Sequence, residues 1–262
     1  MNANDYVLSI VIPCYNEEQV LPITAPMFLE ELNALIEKDK ISSDSRILFV
    51  NDGSRDGTLE KLRAICAKYE NAEYLSFARN FGKESAMMAG IDYADGDAVI
   101  LMDADLQHPP EVIAQMVELW RQGYDDVCGK RVDRAGETWL KRTLANIFYA
   151  LMKKFSTSYE MQRDVGDFRL LDRRCVEALR LMRENQRFMK GLFTWVGYRK
   201  KEIPFEVRDR AAGVTKFSYI SLFNLAIKGM TSFTTAPLHL MTFVGMLVSF
   251  GAIAYMIFII AM

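Results

Sequence analysis

Apolar and polar positions alternate in two rhythms along the first half of the chain. Short strand-like runs lie at residues 7–13, 46–51, 73–77, 97–102 and 125–129, with the apolar character strongest at 7–13, 46–51 and 97–102. Segments with apolar residues at helical spacing separate them, at residues 17–37, 58–69, 84–93 and 110–121. Such runs predict buried strands, and their alternation with helices predicts βαβ units. The pattern therefore predicts an α/β fold whose mostly parallel sheet is flanked by helices on both faces.

The C-terminal end of the chain follows neither rhythm. The 23 residues after His239 include no charged side chain, and no polar stripe recurs at helical spacing. At ~1.5 Å rise per residue, a helix of this length covers the ~30 Å hydrocarbon core of a bilayer. We therefore predict a transmembrane helix over residues 237–262, with a buried core helix or an interfacial anchor as alternatives. A second span beyond it is left open.

Charge and composition change this picture only slightly. The lysines that precede the apolar segment, Lys216 and Lys228 among them, predict a main domain on the cytoplasmic side of a cell membrane. A formal net charge of −2 gives no reason to expect nucleic acid as a partner. The four cysteines are widely spaced, without a CxxC pair, and are expected to be reduced thiols. Neither GxGxxG nor GxxxxGK[ST] occurs, which argues against a dinucleotide dehydrogenase and a P-loop kinase.

Polar clusters follow the first four predicted strands. They occupy residues 13–18, 51–57, 79–83 and 103–107. The carboxyl ends of parallel strands meet at one edge of a sheet, where α/β proteins bind their ligands. We therefore expect the four clusters to form one composite site. Acid-rich turns are also ordinary loops and helix caps, and this is the alternative for Ser54 and Asp56 in particular.

Asp103, Asp105 and Gln107 follow the fourth strand in the stretch DAVILMDADLQHPP. In an extended chain the two aspartates would point to the same face. Two carboxylates and an amide oxygen suit Mg²⁺ or Mn²⁺ and leave coordination positions open for a diphosphate. We therefore predict a metal site at these three residues, where the ion would stabilise a departing nucleoside diphosphate. His108 is a weaker ligand candidate, and a helix N-cap before Pro110 is the alternative.

Four motifs carry a resemblance to a known family. SIVIPCYNEE, ILFVNDGSRDGT, RNFGKESAMMAG and LMDADLQHPPE, in this order, resemble family 2 inverting glycosyltransferases with the GT-A fold. GDFRLLDR at 166–173 and VRDRAAGVTKFS at 207–218, followed by the apolar segment, narrow the resemblance. The chain looks like a polyprenyl-phosphate glycosyltransferase, of the dolichol-phosphate mannose synthase and bactoprenol glucosyltransferase group.

The resemblance implies roles for residues on the donor side of the site. Pro13, Tyr15 and Glu17 would line a nucleoside pocket, with Asp52 near the base or the ribose. A carboxylate can accept hydrogen bonds from ribose hydroxyls or a base N–H, and a tyrosine ring offers a stacking face. Lys83 would neutralise a phosphate, or is a solvated surface lysine. Arg131 would reach the diphosphate or the acceptor.

A second set of residues is implied on the acceptor side. Asp167 matches the aspartate that acts as a base in many inverting members. Because a lipid monophosphate is already an anion at neutral pH, Asp167 would position the acceptor, the metal or the sugar as much as act as a base. An anchor for Arg169 is its alternative. The cations are placed in one segment: Arg208, Arg210 and Lys216, in RAAGVTK, where the family has R-x-x-G-x-S-K. A cytoplasmic basic cluster without a ligand is their alternative.

This interpretation divides the chain into three parts. They are a GT-A catalytic domain at residues 1–210, a membrane-proximal acceptor loop with an amphipathic helix at 211–236, and the transmembrane helix at 237–262. Aromatic and basic residues at 139–155, and the amphipathic stretch at 217–233, are typical of interfacial helices in a lipid bilayer. Core or oligomer surfaces are the alternative, and a homo-oligomer is left open.

The resemblance implies a metal-dependent inverting transferase. It would move a sugar from a nucleoside-diphosphate sugar, with UDP favoured over GDP, to undecaprenyl or dolichyl phosphate. The product would be a polyprenyl-phosphate-linked monosaccharide for cell-envelope glycan modification, and the sugar itself is left open. One alternative is a family 2 transferase with a non-lipid acceptor, although no QxxRW motif is present. The other is a membrane-anchored nucleotide-sugar-binding scaffold without turnover.

Overall fold

One sheet of seven strands organises the chain up to residue 208. This computed structural model describes residues 6–132, 165–183, 188–208 and 236–262. The strands are β1 (Leu8–Cys14), β2 (Arg46–Asn51), β3 (Ala72–Ser76), β4 (Ala98–Leu101), β5 (Asp126–Arg131), β6 (Val165–Asp172) and β7 (Lys200–Phe205). Their order across the sheet is β3-β2-β1-β4-β6-β5-β7.

Helices connect and cover these strands. Those within the described residues are α1 (Leu21–Glu37), α2 (Thr58–Lys68), α3 (Lys83–Tyr93), α4 (Val112–Arg121), α5 (Arg173–Arg180), α6 (Met189–Trp195) and α7 (Ala236–Ala261). The predicted helix over 17–37 begins later, because the Glu17 carbonyl accepts hydrogen bonds from the N–H groups of Val20 and Leu21 in a turn. The other elements predicted in the first half begin and end within about two residues of their predicted bounds, the usual uncertainty of a helix or strand end.

The pairing of β6 is where the sheet departs from a simple parallel arrangement. The pairs β1–β2, β1–β4, β2–β3 and β5–β7 are parallel. Strand β6 lies between β4 and β5 and runs antiparallel to both. The predicted α/β fold with a mostly parallel sheet is confirmed. Because Leu101 at the end of β4 pairs with Arg169, the nearby Asp167 is carried just past the end of β4.

The middle of the sheet is covered on both faces. All four residues of β4 are buried, and so are all residues of β1 except Pro13. Helix α3 packs so close to β1 that a Cβ atom at Gly90 would lie 2.1 Å from Val11 Cγ1. A residue without a Cβ atom is therefore required at this position. The close packing fixes α3, whose first residue is Lys83, at the carboxyl edge of the sheet.

Helix α7 belongs to a second compact unit of the chain. Its residues Met241–Ala261 number 21 and have a mean hydropathy of 2.4, so the helix is long and apolar enough to cross a membrane. Large apolar side chains such as Phe250 and Ile257 are 68% and 58% exposed. The apolar helix predicted over 237–262 is therefore present as a candidate span. Residues 139–155 and 217–233 lie outside the described residues, and the domain boundaries stay predictions.

Candidate active site

Three of the predicted site residues meet at the carboxyl edge of the sheet. Lys83 Nζ lies 2.6 Å from Asp103 Oδ1 and 2.9 Å from Asp167 Oδ2. They come from the first residue of α3, the loop after β4, and β6. The antiparallel insertion of β6 is what brings Asp167 to the other two. The ammonium group therefore bridges two carboxylates that are far apart in the sequence.

The charges of these three groups stabilise one another. Burial opposes ionisation of Asp103, but the charge of Lys83 outweighs it and holds the pKa of this carboxyl below its usual range. Burial also opposes ionisation of Asp167, yet Lys83 and Lys190 hold its pKa well below the usual range. Burial would lower the pKa of Lys83, and the two aspartates raise it instead. At neutral pH the cluster thus holds one ammonium between two carboxylates.

One oxygen of the cluster has no partner among the residues that the structure describes. Asp167 Oδ1 is buried and accepts no hydrogen bond. A buried polar atom left in this state costs about 1–3 kcal/mol. Such an atom in a native structure calls for an explanation, and a substrate group is one of those that fit. Asp167 can therefore accept a hydrogen bond from a substrate hydroxyl while it remains paired with Lys83.

The loop after β4 orients the two aspartates. Strand β4 ends at Leu101, so the expectation that Asp103 and Asp105 share one face of an extended strand is wrong. Instead, Asp105 Oδ1 accepts a hydrogen bond from the Gln107 N–H at 3.1 Å. His108 Nδ1 accepts one from the Asp103 N–H at 3.3 Å. The intervening Leu106 has φ +60°, which marks a tight turn.

His108 packs in the protein interior beneath this loop and does not face the open side of the site. Its ring stacks on Phe168 of β6 at 4.7 Å between centroids, with the planes 10° apart. It is 2% exposed. Burial lowers the pKa of His108, and the charges of Lys83 and Arg131 lower it further. The charge of Asp103 opposes this change but does not outweigh it. A neutral, buried imidazole that accepts the Asp103 N–H is a structural support for the loop.

The donor set of the loop fits a hard divalent cation. Asp103 and Asp105 supply carboxylates and Gln107 an amide oxygen, all of which suit Mg²⁺ or Mn²⁺. No group of three or more His, Cys, Asp or Glu side chains arranged for a metal occurs in the described part of the chain. An ion held here would therefore complete its coordination with water or phosphate oxygens, as Mg²⁺ commonly does.

The loops after β1 and β2 are tied to each other by side chains. Asn16 N–H donates to Ser54 Oγ at 2.9 Å, and Glu17 N–H donates to Thr58 Oγ1 at 2.7 Å. Pro13, Tyr15 and Glu17 are half-buried here. Asp56 accepts a hydrogen bond from the N–H of Thr58, the first residue of α2, at 3.1 Å, although the N-cap itself is Gly57. The nucleoside-pocket role stays a prediction.

Asp52 holds the loop that leads into α3. Its carboxylate accepts hydrogen bonds from the N–H groups of Phe81 and Gly82, at 2.7 and 2.9 Å, and from Asn80 Nδ2 at 2.8 Å. Gly82 has φ +96°, a conformation that favours glycine. Asp52 therefore fixes the turn immediately before Lys83. Its predicted contact with the base or the ribose is not tested by this arrangement.

Some of the predicted cations lie within the described residues and others lie outside them. Arg131, at the end of β5, is exposed. Arg208 donates its backbone N–H to the Gln107 carbonyl at 3.4 Å, and its guanidinium pairs with Glu111. The segment that follows β7 thus touches the loop that holds the predicted metal ligands. Arg210 and Lys216 lie outside the described residues.

Arg169 has a different partner from the one considered in the sequence. Its guanidinium pairs with Asp126 on β5, with Nη1 3.0 Å from Oδ2, and both side chains are almost fully buried. It also covers the ring of Phe193 at 3.9 Å from the ring centroid. The alternative reading of Asp167 as an anchor for Arg169 is therefore wrong. Asp167 is left to the charge cluster.

Two further charged residues beside the cluster were not singled out in the sequence. Glu84 follows Lys83 in α3, and its Oε2 accepts the Met189 N–H at 2.7 Å. Burial and the charge of Asp167 raise its pKa to about 7. Lys190, in the first turn of α6, acts on both Glu84 and Asp167. Glu84 was visible in the motif RNFGKE, but no sequence pattern indicates that α6 contacts α3.

The sequence family follows from a direct comparison. The family model described as Glycosyl transferase family 2 matches residues 9–180, well over half of the chain. The chain belongs to glycosyl transferase family 2. The matched residues include Lys83, Asp103 and Asp167, so the charge cluster lies within the family's own domain. The resemblance stated from the motifs is thereby confirmed.

Relatives of this family 2 glycosyltransferase cover most of its length. An uncharacterised glycosyltransferase of Synechocystis is 45% identical over 253 residues, which is 97% of this chain and 77% of that protein. A prophage bactoprenol glucosyl transferase homolog of Escherichia coli K12 is 42% identical over 248 residues, which is 95% of this chain and 79% of that protein.

A solved structure shares the fold at much lower identity. Glucosyl-3-phosphoglycerate synthase from Mycobacterium tuberculosis, in complex with Mn²⁺, UDP and phosphoglyceric acid, has a TM-score of 0.51 and 15% identity. The match covers 84% of this chain and 75% of that chain. At this identity the similarity shows the GT-A fold alone, as predicted.

Proposed function

We propose that this family 2 glycosyltransferase transfers a sugar from a UDP-sugar to a polyprenyl phosphate, with inversion at the anomeric carbon. The observation that carries the proposal is the 42% identity, over 95% of this chain, to a bactoprenol glucosyl transferase homolog. Bactoprenol is a polyprenyl lipid, so the acceptor would be the phosphate of such a lipid. The candidate membrane span in α7 is consistent with an acceptor that stays in a bilayer.

Asp103, Asp105 and Gln107 would hold Mg²⁺ or Mn²⁺ together with the donor diphosphate. The ion would supply positive charge to the diphosphate as it leaves. A structure with this fold contains Mn²⁺ and UDP, which supports both the metal and the nucleotide. Pro13, Tyr15, Glu17 and Asp52 are proposed for the nucleoside, and Arg131 for the diphosphate.

The chain's own residues would organise the displacement. Lys83 would direct its ammonium toward the departing diphosphate and stabilise the charge that develops there. A phosphate oxygen of the acceptor forms a bond to the anomeric carbon while the bond from that carbon to the diphosphate breaks, and the nucleoside diphosphate leaves with the electron pair. Asp167 would accept a sugar or acceptor hydrogen bond at Oδ1, because the acceptor phosphate needs little deprotonation at neutral pH.

The acceptor phosphate is proposed to bind beside the segment after β7. Arg208 already contacts the loop that carries Gln107, and Arg210 and Lys216 follow it in the chain. Arginine binds phosphate through two parallel hydrogen bonds, and lysine adds a point charge. We propose that the catalytic domain lies on the cytoplasmic side of a cell membrane, where nucleotide sugars are found.

A transfer assay tests the proposal. Protein in detergent receives undecaprenyl phosphate, Mn²⁺ or Mg²⁺, and one of a panel of radiolabelled UDP- and GDP-sugars, and label is followed into the organic phase. We expect transfer from one UDP-sugar, lost when a chelator removes the metal. Nucleotide binding without labelled lipid from any donor would overturn the lipid acceptor. Release of free nucleotide with a non-lipid acceptor would then favour another family 2 activity, and no turnover at all would favour a binding scaffold.

A further inference from the structure

Helix α6 packs against β6, the strand that carries both Arg169 and Asp167. Arg169 lies 3.9 Å below the ring of Phe193 in α6. Lys200 Nζ donates to the Phe193 carbonyl at 2.6 Å. The C-terminal part of α6 is therefore fixed to the sheet by cations at Arg169 and Lys200.

The N-terminal part of α6 is fixed by a different group. Glu84 Oε2 accepts the N–H of Met189, the first residue of α6, at 2.7 Å. Met189 is buried and lies one turn before Phe193. Glu84 directly follows Lys83, which pairs with Asp167, so the first turn of α6 lies near the charge cluster. The bond from Glu84 therefore joins α3, immediately after Lys83, to the part of α6 that faces the charge cluster.

This arrangement brings a second lysine into the electrostatic field of the cluster. Lys190 follows Met189 and is half-buried. Its charge helps to lower the pKa of Asp167 and partly offsets the burial that raises the pKa of Glu84. It forms no ion pair with another described residue within the range of a salt bridge, whereas Lys83 pairs with two carboxylates. Lys190 is therefore a cation close enough to act on Asp167 and Glu84, without a salt-bridge partner among the described residues.

We propose that Glu84 is a positioning residue that fixes the first turn of α6, so that Lys190 presents a second ammonium to a phosphate group bound at the charge cluster. The inference rests on the proposed function, in which both substrates carry phosphate. That group is either the donor diphosphate or the acceptor monophosphate. Glu84 itself touches neither substrate, and it acts through the Met189 N–H.

The charge state of Glu84 gives this proposal a readout of its own. The groups that face it are Lys83 and Asp167, with Lys190 and the Met189 N–H from α6. Burial and Asp167 raise its pKa to about 7, against the opposing effects of Met189, Lys83 and Lys190. Glu84 therefore gains a negative charge as the pH rises through neutrality. That charge attracts Lys190 and opposes a phosphate, so phosphate affinity should fall over the same range.

Donor affinity against pH separates this effect from others. A UDP-sugar has no phosphate monoester, so its diphosphate does not titrate near neutral pH as a monophosphate does. Binding of UDP-sugar with Mn²⁺ to the full chain is measured by calorimetry between about pH 6 and about pH 8 for wild type, Glu84→Gln and Glu84→Ala. Glu84→Gln keeps an oxygen for the Met189 N–H and cannot ionise, so it is the matched control.

If Lys190 contacts the donor diphosphate, wild-type affinity should fall about threefold to tenfold across this range, and Glu84→Gln should remove the dependence. Lys190→Met should then weaken donor binding at every pH. If Lys190 instead contacts the acceptor, Lys190→Met should leave donor affinity unchanged and raise the KM for undecaprenyl phosphate about tenfold. Either result supports the proposal and identifies which phosphate is bound.

The position of α6 is read separately by amide exchange. Glu84→Ala should speed exchange of the Met189 N–H and lower kcat about tenfold, whereas Glu84→Gln should keep both near wild type. The proposal is overturned if Glu84→Ala, confirmed as folded, matches wild type in exchange, KM and kcat. It is also overturned if Lys190→Met changes neither the affinity for UDP-sugar nor the KM for undecaprenyl phosphate. A failure of the proposed function is distinct, because wild-type protein would then make no labelled lipid, while the exchange measurement stands on its own.

Discussion

The two halves of the carboxyl edge use their polar side chains differently. On the β1–β2 side, which is residues 15–20 and 52–57, carboxylates and hydroxyls bond to backbone N–H groups, as Ser54 does with Asn16 and Glu18 with Gly57. In the charge cluster of Lys83, Asp103 and Asp167, side chains face other charges. One of its oxygens has no partner among the described residues.

This difference separates scaffolding from chemistry. A polar side chain that satisfies a backbone N–H holds a loop in place. Charges of both signs held together, with pKa values shifted by one another, are typical of a reacting centre. The comparison therefore assigns loop stability, beside the proposed nucleoside contacts, to the β1–β2 side and turnover to the charge cluster and its neighbouring loop. Substitutions on the two sides should affect different measurements.

The largest effect on turnover is expected at the predicted metal ligands. Asp105→Asn keeps the shape of the side chain and its bond to the Gln107 N–H but removes the charge that would hold a divalent ion. Losing about 4 kcal/mol of transition-state stabilisation lowers kcat/KM about 1,000-fold. The measurement is labelled lipid per unit time, with the midpoint of thermal unfolding recorded for the same sample.

Glu73→Gln is the control for that substitution. Glu73 is about half exposed and pairs with Arg46 far from the cluster, and exposed pairs contribute about 0–1 kcal/mol. It should leave turnover unchanged. If Asp105→Asn kept near-normal turnover and still required metal, Asp105 would not be a metal ligand. The loop after β4 would then have no demonstrated role in the reaction.

Lys83→Met should produce the next largest effect. The substitution removes the cation between Asp103 and Asp167 and the charge proposed to stabilise the departing diphosphate, so kcat should fall about 100-fold. The two carboxylates then repel each other, and the pKa of at least one rises. Their depressed pKa values keep them ionised in wild type until the pH falls well below the unfolded values, so the acidic limb of activity should shift to higher pH in Lys83→Met.

The pH profile of activity in wild type and Lys83→Met measures this shift. Lys83→Arg keeps the positive charge and is the comparison that tests geometry, because a planar guanidinium does not replace an ammonium bridging two carboxylates. An unchanged acidic limb in Lys83→Met would contradict the electrostatic coupling of the cluster. Full activity in Lys83→Met would show that Lys83 has a structural role only.

The centre of the sheet could be predicted from the sequence because β1, β2 and β4 are short, apolar and mostly buried. The run at 97–102 gave β4 almost unchanged, since all four of its residues lie inside the protein. The insertion of β6 was not predictable from the same pattern. Its neighbours β4 and β5 come earlier in the chain, and residues 132–164 separate β5 from β6, so only pairing across the sheet reveals that β6 lies between them.

The candidate site was predictable residue by residue but not in its contacts. Lys83, Asp103 and Asp167 were identified from their motifs, yet the motifs do not indicate that one ammonium bridges both carboxylates. Glu84 was not singled out, because its partner Met189 is 105 residues away and belongs to a short helix. Asp52 shows the opposite limit. A carboxylate that holds a loop and one that binds a ribose look alike in a sequence.

Asp52→Ala tests the scaffold half of the comparison. It leaves the N–H groups of Phe81 and Gly82 and the Asn80 amide without their acceptor in a partly enclosed loop. Unsatisfied donors of this kind cost about 1–3 kcal/mol each, less where water enters, so the total loss should be about 2–4 kcal/mol. Urea unfolding of the full chain in detergent measures it, with Asp52→Asn as the milder variant.

The kinetic behaviour of Asp52→Asn separates the two roles of this residue. A purely structural Asp52 gives a folded variant with a normal KM for the donor. A rise in donor KM of about tenfold without loss of stability would favour the predicted contact with the base or the ribose. That outcome would show that Asp52 binds the donor, so that the β1–β2 side would have a role in substrate binding as well as in loop stability.

The smallest effect is expected at Ser54, where the comparison can be broken most cleanly. Ser54→Ala removes the hydroxyl that accepts the Asn16 N–H at 2.9 Å, and keeps the backbone N–H that Ser54 donates to Asn51 Oδ1. A neutral hydrogen bond of this kind contributes about 1 kcal/mol, so the unfolding midpoint should fall slightly while kcat and both KM values stay within about twofold. Urea unfolding and steady-state transfer on one preparation measure both quantities. A variant that unfolds like wild type but loses most of its turnover would show that the β1–β2 side takes part in the reaction, because no structural role of Ser54 could then explain the loss.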